Sequence, residues 1–453
     1  MNNIILMSDS YKYSQYNHYP PGTEYVYSYI ESRGGKYDET VFFGLQVFLE
    51  QYLKQRITKE MVDEAEEVIT AHGEPFYREG WDYIVNKHNG LLPVEIKAVP
   101  EGSVVPVSNI LVGVINTDPK CWWLTSFLET ILLRAVWYPT TVATNSREIK
   151  RIILDFLEET GDPEGINFKL HDFGARGVSS HESAAIGGAA HLVNFMGSDT
   201  VEALCLCRKY YGIDMAGFSI PAMEHSTVTS WGRDGEVDSY RNMLKQHAKP
   251  GGLVACVSDS YDIFKACELW GTELKQDVLD SGATVVIRPD SGHPATVVLK
   301  CLQILEKHFG SVTNEKGFRV LNNVRVIQGD GVNVDSIHEI LETIAVEGFS
   351  ADNVNFGQGG ALLQIVNRDD QKFAMKCSAV FIKDKGWVDV FKDPITDPGK
   401  RSKKGVLKLI RENDEYITVR IEEDGLDRLE TVYKNGVVTR YQSFESIRYN
   451  AGV

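Results

Sequence analysis

At 453 residues, 43% hydrophobic and 24% charged, the chain has ordinary globular composition, enough for two or three domains or one barrel with additions. A net charge of -16 argues against a protein that coats nucleic acid, but leaves room for a local basic pocket that binds a small anion. The seven cysteines include no CxxC pair and no apolar run reaches membrane-spanning length, which predicts reduced thiols, a cytoplasmic location and no membrane partner.

In chain order, the opening MNNIILMSDSYKYS is too short and polar for a signal peptide. Tyr11 lies in this polar segment, where nothing apolar obliges it to be buried. The run from Glu24 to Glu31 alternates like a strand, and Lys59 to Ala71 reads as an acidic helix. Leu92 to Thr117 predicts strands around a Pro-Glu-Gly turn. Two helices are expected next: an apolar one from Asp118-Pro119 and another from Thr144 to Glu159, ended by Gly161.

From Phe168 the character changes. Short apolar runs end in Gly, Asp and Arg clusters: FKLHDFGARG, AGFSIPAMEHST, LVACVSDSYD, ATVVIRPDSG, VRVIQGDGV and NVNFGQGGA. Helical patterns separate several of them, as in Tyr261 to Trp270, Ala295 to Phe309 and Val334 to Glu347. Strands alternating with helices imply a parallel sheet, and six such units favour a TIM-like α/β barrel. After Lys376 the pattern returns to strands, including an Asn-Gly hairpin in TVYKNGVV. The expected organisation is an N-terminal α+β segment over 1–145, a barrel over 146–377, and a β-rich segment over 378–453. The last would rejoin the first in one discontinuous domain.

In such barrels the loops after the strands form the active face. The candidate residues on those loops are Arg176, Asp199, His225, Asp262, Arg288, Pro289, Asp290, Asp330 and Arg368, with Lys376, Lys392 and Lys400 following. Gly329, Gly331, Gly357, Gly359 and Gly360 would let backbone amides approach a phosphate closely. Ser179 to Glu182 reads as a capping box, opening a helix whose N-terminal amides, beside Arg176, suit a phosphate. Guanidinium groups bind phosphate bidentately, and carboxylates suit ribose hydroxyls or hydrated Mg²⁺. The mixture fits a phosphorylated sugar. GxxxxGK[ST] is absent and GxGxxG is not completed, which excludes those nucleotide loops. Blander readings exist: His225 as a satisfied core histidine, and Asp199 and Asp290 as helix caps.

HDFGARGVSS, PAMEHST, SDSYD, IRPDSG, IQGDGV, FGQGGALLQ and FKDPITDPGKRSKKG together resemble the nicotinamide phosphoribosyltransferase family, as do the opening SDSYKYSQYNHYPPGT and TVATNSRE. The resemblance is colinear over nearly the whole chain. It implies a homodimeric α/β-barrel enzyme that joins nicotinamide to phosphoribosyl pyrophosphate in the presence of Mg²⁺. By the same resemblance, Phe173 stacks on the pyridine ring, Tyr11 of the other subunit covers its opposite face, and Asp199 binds the carboxamide. Arg176, His225 and Arg288 take the pyrophosphate end. Asp290, Gly329, Asp330, Gly360 and Arg368 hold the ribose phosphate, with Lys376, Lys392 and Lys400 adding positive charge. His225 is phosphorylated by ATP, and Asp262 orients it. Phe218 stands where the family often has Tyr, and Ala374 where it often has Ser. The competing expectations are an enzyme for nicotinate and a non-catalytic binding or signalling protein on the same fold.

Overall fold

A computed structural model describes residues 3–396 and 401–452. The chain divides into two compact units, one of Met1–Thr144, Lys209–Ile213 and Asn367–Gly452, the other of Asn145–Arg208 and Asp214–Val366. The second boundary differs from the expected 377/378. The strand Phe373–Ile382 pairs antiparallel with Thr23–Ser32, and long-range pairing carries the residues from Asn367 onward into the first unit. Lys209–Ile213 joins the same unit because Tyr211 stacks on Phe43 and donates to the buried carboxylate of Glu101 at 2.8 Å.

The first unit is built on a seven-stranded antiparallel sheet in the order Gly386–Asp389, Phe373–Ile382, Thr23–Ser32, Ile110–Asn116, Val94–Ala98, Glu430–Lys434, Val437–Val438. N- and C-terminal strands are interleaved in it. The expected hairpin is present, with Asn435 and Gly436 both at positive φ, as its two-residue turn requires. The acidic helix runs Lys59–His72 between a Thr58 N-cap and a left-handed Gly73.

The two helices expected between Asp118 and Glu159 form differently. Asp118-Pro119 opens only a 3-10 turn, Pro119–Cys121, and one continuous helix then spans Glu129–Thr160 with Pro139 inside it. Proline removes a backbone donor in mid-helix at a usual cost of about 3 kcal/mol. Here the segment is held from outside: Thr140 and Thr144 accept hydrogen bonds from the amides of Phe43 and Val41 at 3.2 and 2.9 Å.

The second unit carries a six-stranded parallel sheet in the order Gly197–Ser198, Leu170–Asp172, Val354–Gln358, Val324–Gln328, Thr284–Arg288, Leu253–Val257. Its two edge strands are each joined by a single parallel bridge to the segment 218–222, Gly197 to Phe218 and Ala255 to Ala222. The strands are buried on both faces, which is why they read as unbroken apolar runs. Val254, Cys256, Val285, Ile287, Val326 and Phe356 pack in the large core shared with the helices. The alternate residues Ala255, Val286 and Ile327 form a small inner cluster with Ile220 and Phe173.

At the N-terminal end of these strands, Lys169 is buried and donates to the carbonyls of Ala351, Asp352 and Val354 at 3.0–3.2 Å. Burial lowers its pKa to about 8, so the ammonium is still present at pH 7. Lys169→Met should lower stability by about 2–4 kcal/mol, because buried carbonyls lose their donor. The folded state sheds this proton at about pH 8 and the unfolded state nearer 10.5. Stability due to Lys169 therefore rises between those values. Thermal midpoints of the two proteins from pH 7.5 to 9.5 check both statements; a pH-independent difference would contradict the second.

Candidate active site at the strand ends

The strand Leu170–Asp172 sets the site's first wall. Side chains alternate along a strand, so His171 and Phe173 share a side while Asp172 faces the other way. Asp172 is fully buried, accepts from the amide of Gly174 at 2.7 Å and the hydroxyl of Ser198 at 3.3 Å, and has its pKa raised by burial. It fastens the turn that presents Phe173. The Phe173 amide also donates to Gln358 at 2.9 Å, and its ring fills the space of a missing side chain: a Cβ at Gly357 would lie 1.9 Å from the ring.

The Arg288 guanidinium stands 5.5 Å from the Phe173 ring centroid. Its Nη2 donates to Asp290 Oδ1 at 2.9 Å, while no acceptor reaches its buried Nε among the described residues. An atom added at Gly329 would meet Arg288 Nε at 3.2 Å, Asp290 at 3.3 Å and Phe173 at 3.5 Å, so the Gly329–Asp330 loop closes on the same point. Gly359 and Gly360 follow the next strand, close to the Arg176 turn, where a Cβ on Gly177 would lie 3.4 Å from Gly360 Cα. Arg176 is exposed. Asp290 does not cap the helix Pro294–Phe309, whose N-cap is His293.

Asp199 follows Gly197–Ser198 and accepts at Oδ1 from His171 Nε2 at 2.9 Å and Ser219 Oγ at 2.7 Å. Burial alone would raise its pKa, but these two donors and the charge of Arg288 outweigh it and hold the carboxyl below the usual range. Among the described residues both donors to the Asp199 carboxylate are side chains and no backbone amide reaches it, so it does not act as a helix cap; the amide of Thr200 goes to Ser198.

His225 is 46% exposed at the head of a five-residue helix and is no core histidine. Its Nε2 lies 3.0 Å from Asp259 Oδ1, and Asp259 Oδ2 accepts from the amide of Asp290 at 3.1 Å and the hydroxyl of Ser291 at 2.7 Å. This corrects the expectation that Asp262 orients His225. Asp262 instead N-caps the helix Ile263–Gly271, accepting from the amides of Phe264 and Lys265. Ser180 likewise replaces Ser179 as the cap of the helix His181–Leu192, accepting from Ser183.

The second unit thus sets Arg288 against Phe173 and Asp290 with the Gly329 loop closing on them, links Asp199 to Phe173 through His171 and His225 to Asp290 through Asp259, and places Pro289, Asp330, Arg176, Gly359 and Gly360 on the same or neighbouring loops. His171, Ser219, Asp259 and Ser291 belong to the same network and were not singled out from the sequence. Other expected residues lie in the first unit. Tyr11 is 53% exposed on the 3-10 helix Ser10–Asn17. Arg368 is exposed beside Asp369. Lys376 sits on Phe373–Ile382, its pKa lowered by burial and by nearby Arg33, Lys392 and Lys12. Lys392 is exposed and brackets Ser402 through its backbone. Lys400 lies outside the described residues. For a divalent cation, Asp290 and the exposed Asp330 offer hard oxygen donors suited to hydrated Mg²⁺. His88, Asp118 and Cys121 in the first unit also lie close together, but Asp118 is already engaged by Lys120, Tyr83 and His88.

Residues 168–437 match the model of the nicotinate phosphoribosyltransferase family, and residues 3–96 match the N-terminal domain of nicotinamide phosphoribosyltransferase. A nicotinamide phosphoribosyltransferase of Xanthomonas campestris is 55% identical over all of this chain and 98% of its own length. One from Acinetobacter baylyi is 31% identical over 97% of this chain and 95% of its own. Among solved structures, the nicotinate-nucleotide pyrophosphorylase of Pyrococcus furiosus shares the fold, with a TM-score of 0.64 at 14% identity over 99% of this chain and 94% of that one. The chain belongs to the nicotinate phosphoribosyltransferase family, among its nicotinamide phosphoribosyltransferase members.

Proposed function

We infer that this enzyme is a pentosyltransferase that condenses nicotinamide with phosphoribosyl pyrophosphate, releasing nicotinamide mononucleotide and pyrophosphate. The observation that carries the choice of base is an ionised carboxylate, Asp199, linked through His171 to the aromatic ring of Phe173. A carboxamide offers N–H donors to that carboxylate, whereas nicotinate presents a like charge. The base lies on Phe173. Its ring nitrogen attacks ribose C1 as the C1–O bond to pyrophosphate breaks, and the bonding pair leaves with the pyrophosphate. Arg288, Arg176 and His225 receive the leaving group, and Asp290, Asp330 and the amides of Gly329, Gly359 and Gly360 hold the ribose and its phosphate. Positioning and electrostatic stabilisation supply the rate. Mg²⁺ held near Asp290 and Asp330 would offset phosphate charge. Arg368, Lys376, Lys392 and Lys400 are assigned to the phosphates by family resemblance. The parallel sheet, with 218–222 bridging its edges, is taken as a TIM-like barrel, and the first unit as the discontinuous α+β domain.

Asp199→Ser tests the base assignment. A hydrogen bond to a charged group is worth roughly 1.5–3 kcal/mol, so the variant should lose roughly ten- to hundredfold in kcat/KM for nicotinamide and most of its preference over nicotinate. Steady-state kinetics with both bases decide it, and an unchanged ratio would remove Asp199 from the reading.

The exposure of Tyr11 fits a residue completed by a second copy in a homodimer. Tyr11→Ala and Arg288→Ala chains, each weakly active, should regain activity when mixed, since one site in the heterodimer collects both defects and the other neither. No recovery in a demonstrated heterodimer would refute the shared site. ATP is proposed as an activating co-substrate: its γ-phosphoryl group passes to His225 Nδ1, the nitrogen that Asp259 leaves free, and ADP departs. Acid-labile phosphate should then appear on His225 after incubation with ATP, and mass spectrometry that finds none would exclude the coupling.

A further inference from the structure

We propose that His171 is a positioning residue that turns one oxygen of Asp199 toward the base and thereby sets the preference for the amide; this rests on the functional reading above. Two donors converge on the same oxygen, His171 Nε2 at 2.9 Å and Ser219 Oγ at 2.7 Å from Oδ1. Among the described residues no hydrogen bond reaches Oδ2. An ionised carboxylate can only accept, so the imidazole is the Nε2–H form. Its other face is fixed by the backbone. His171 and Gly197 are paired in the parallel sheet, and a Cβ at Gly197 would lie 2.7 Å from His171 Nδ1. Any side chain there would displace the ring.

The imidazole also stands beside the stacking platform, 5.3 Å from the Phe173 centroid. One strand end therefore supplies both the ring that holds the base and the donor that orients its reader. With Oδ1 saturated, Oδ2 is left as the strong acceptor for an N–H of the carboxamide. Without His171, Ser219 alone holds Oδ1, so the carboxylate is less firmly oriented and takes up a proton more readily. A protonated Asp199 would donate to nicotinate instead of repelling it. The effect on the two bases is thus opposite in sign, which general damage to the site is not.

The experiment measures kcat and KM for nicotinamide and nicotinate in wild type, His171→Phe, Gly197→Ala and His171→Gln. His171→Phe keeps a ring but removes the donor, and Gly197→Ala pushes the native ring aside. Both should lower the nicotinamide-to-nicotinate ratio of kcat/KM by about tenfold, mainly through KM for nicotinamide, the scale expected when a polar reader loses its partner. His171→Gln returns an N–H donor near the Nε2 position and should recover most of the ratio. Equal losses for both bases in His171→Phe, or no recovery with Gln in a folded protein, would overturn the proposal while leaving the functional reading intact. A wild-type enzyme without preference for nicotinamide would overturn that reading, and this inference with it.

Discussion

Arg288→Ala should lower turnover by about 10²–10³ without unfolding the protein, the usual effect of removing one preorganised electrostatic contact from a developing charge. The side chain is 19% exposed, one nitrogen is committed to Asp290 at 2.9 Å, and Nε is buried without an acceptor. A buried donor left unpaired in the free protein is a donor available to an incoming anion. The guanidinium also lies over the face of Phe173, at 5.5 Å from the ring centroid. Arg288→Lys should recover only part of the activity, because an ammonium cannot present the planar fork. Near-normal kcat in the alanine variant, with an unchanged melting temperature, would take the leaving group away from this residue.

Asp259→Ala should cost roughly 10²-fold in kcat/KM, the scale of a misplaced catalytic group, and should abolish any activation by ATP. This carboxylate is 5% exposed and joins three partners on two loops: the His225 ring, the Asp290 amide and the Ser291 hydroxyl. Asp259→Asn should do little better, since its NH₂ would face N–H or O–H donors on one side. Asp262→Ala provides the contrast. It removes a helix cap, so it should reduce stability by about 1 kcal/mol and leave catalysis near wild type. If Asp262→Ala proved the more damaging to ATP activation, the pairing of His225 with Asp259 would be wrong.

The strand-end clusters were legible because a parallel strand is apolar throughout and stops at Gly, Asp or Arg where the loop begins. That pattern located Phe173, Arg288, Asp290 and Gly329, which the structure brings together around the Arg288 guanidinium. It also put Asp199 and His225 among the candidates, with the readings as a cap and a core histidine still open. Asp259 and Asp262 stand three residues apart in one SDSYD loop, and composition cannot tell them apart. The backbone decides, since the residue at the helix start must satisfy open amides and its neighbour is thereby turned toward His225. His171 carried a signal that alternation could have read, two residues before Phe173 on the same side of the strand.

The amino-acid sequence by itself determined the local elements, the alternation of strands with helices, and the polar residues delivered to the strand ends, because each depends on contacts within about a dozen residues. Only the tertiary structure decided what depends on distant partners. The stretch between Asp118 and Glu159 reads as two helices, yet one helix runs on through Pro139 where Thr140 and Thr144 bind the backbone near Phe43 and Val41. Arg368 and Lys376 read as barrel residues, yet pairing of Phe373–Ile382 with Thr23–Ser32 carries them into the other unit. Asp199 meets Ser219 and His171 only because a parallel sheet sets three separate segments side by side. A chain encodes such meetings in the free energy of the whole fold, and no window along it holds both partners.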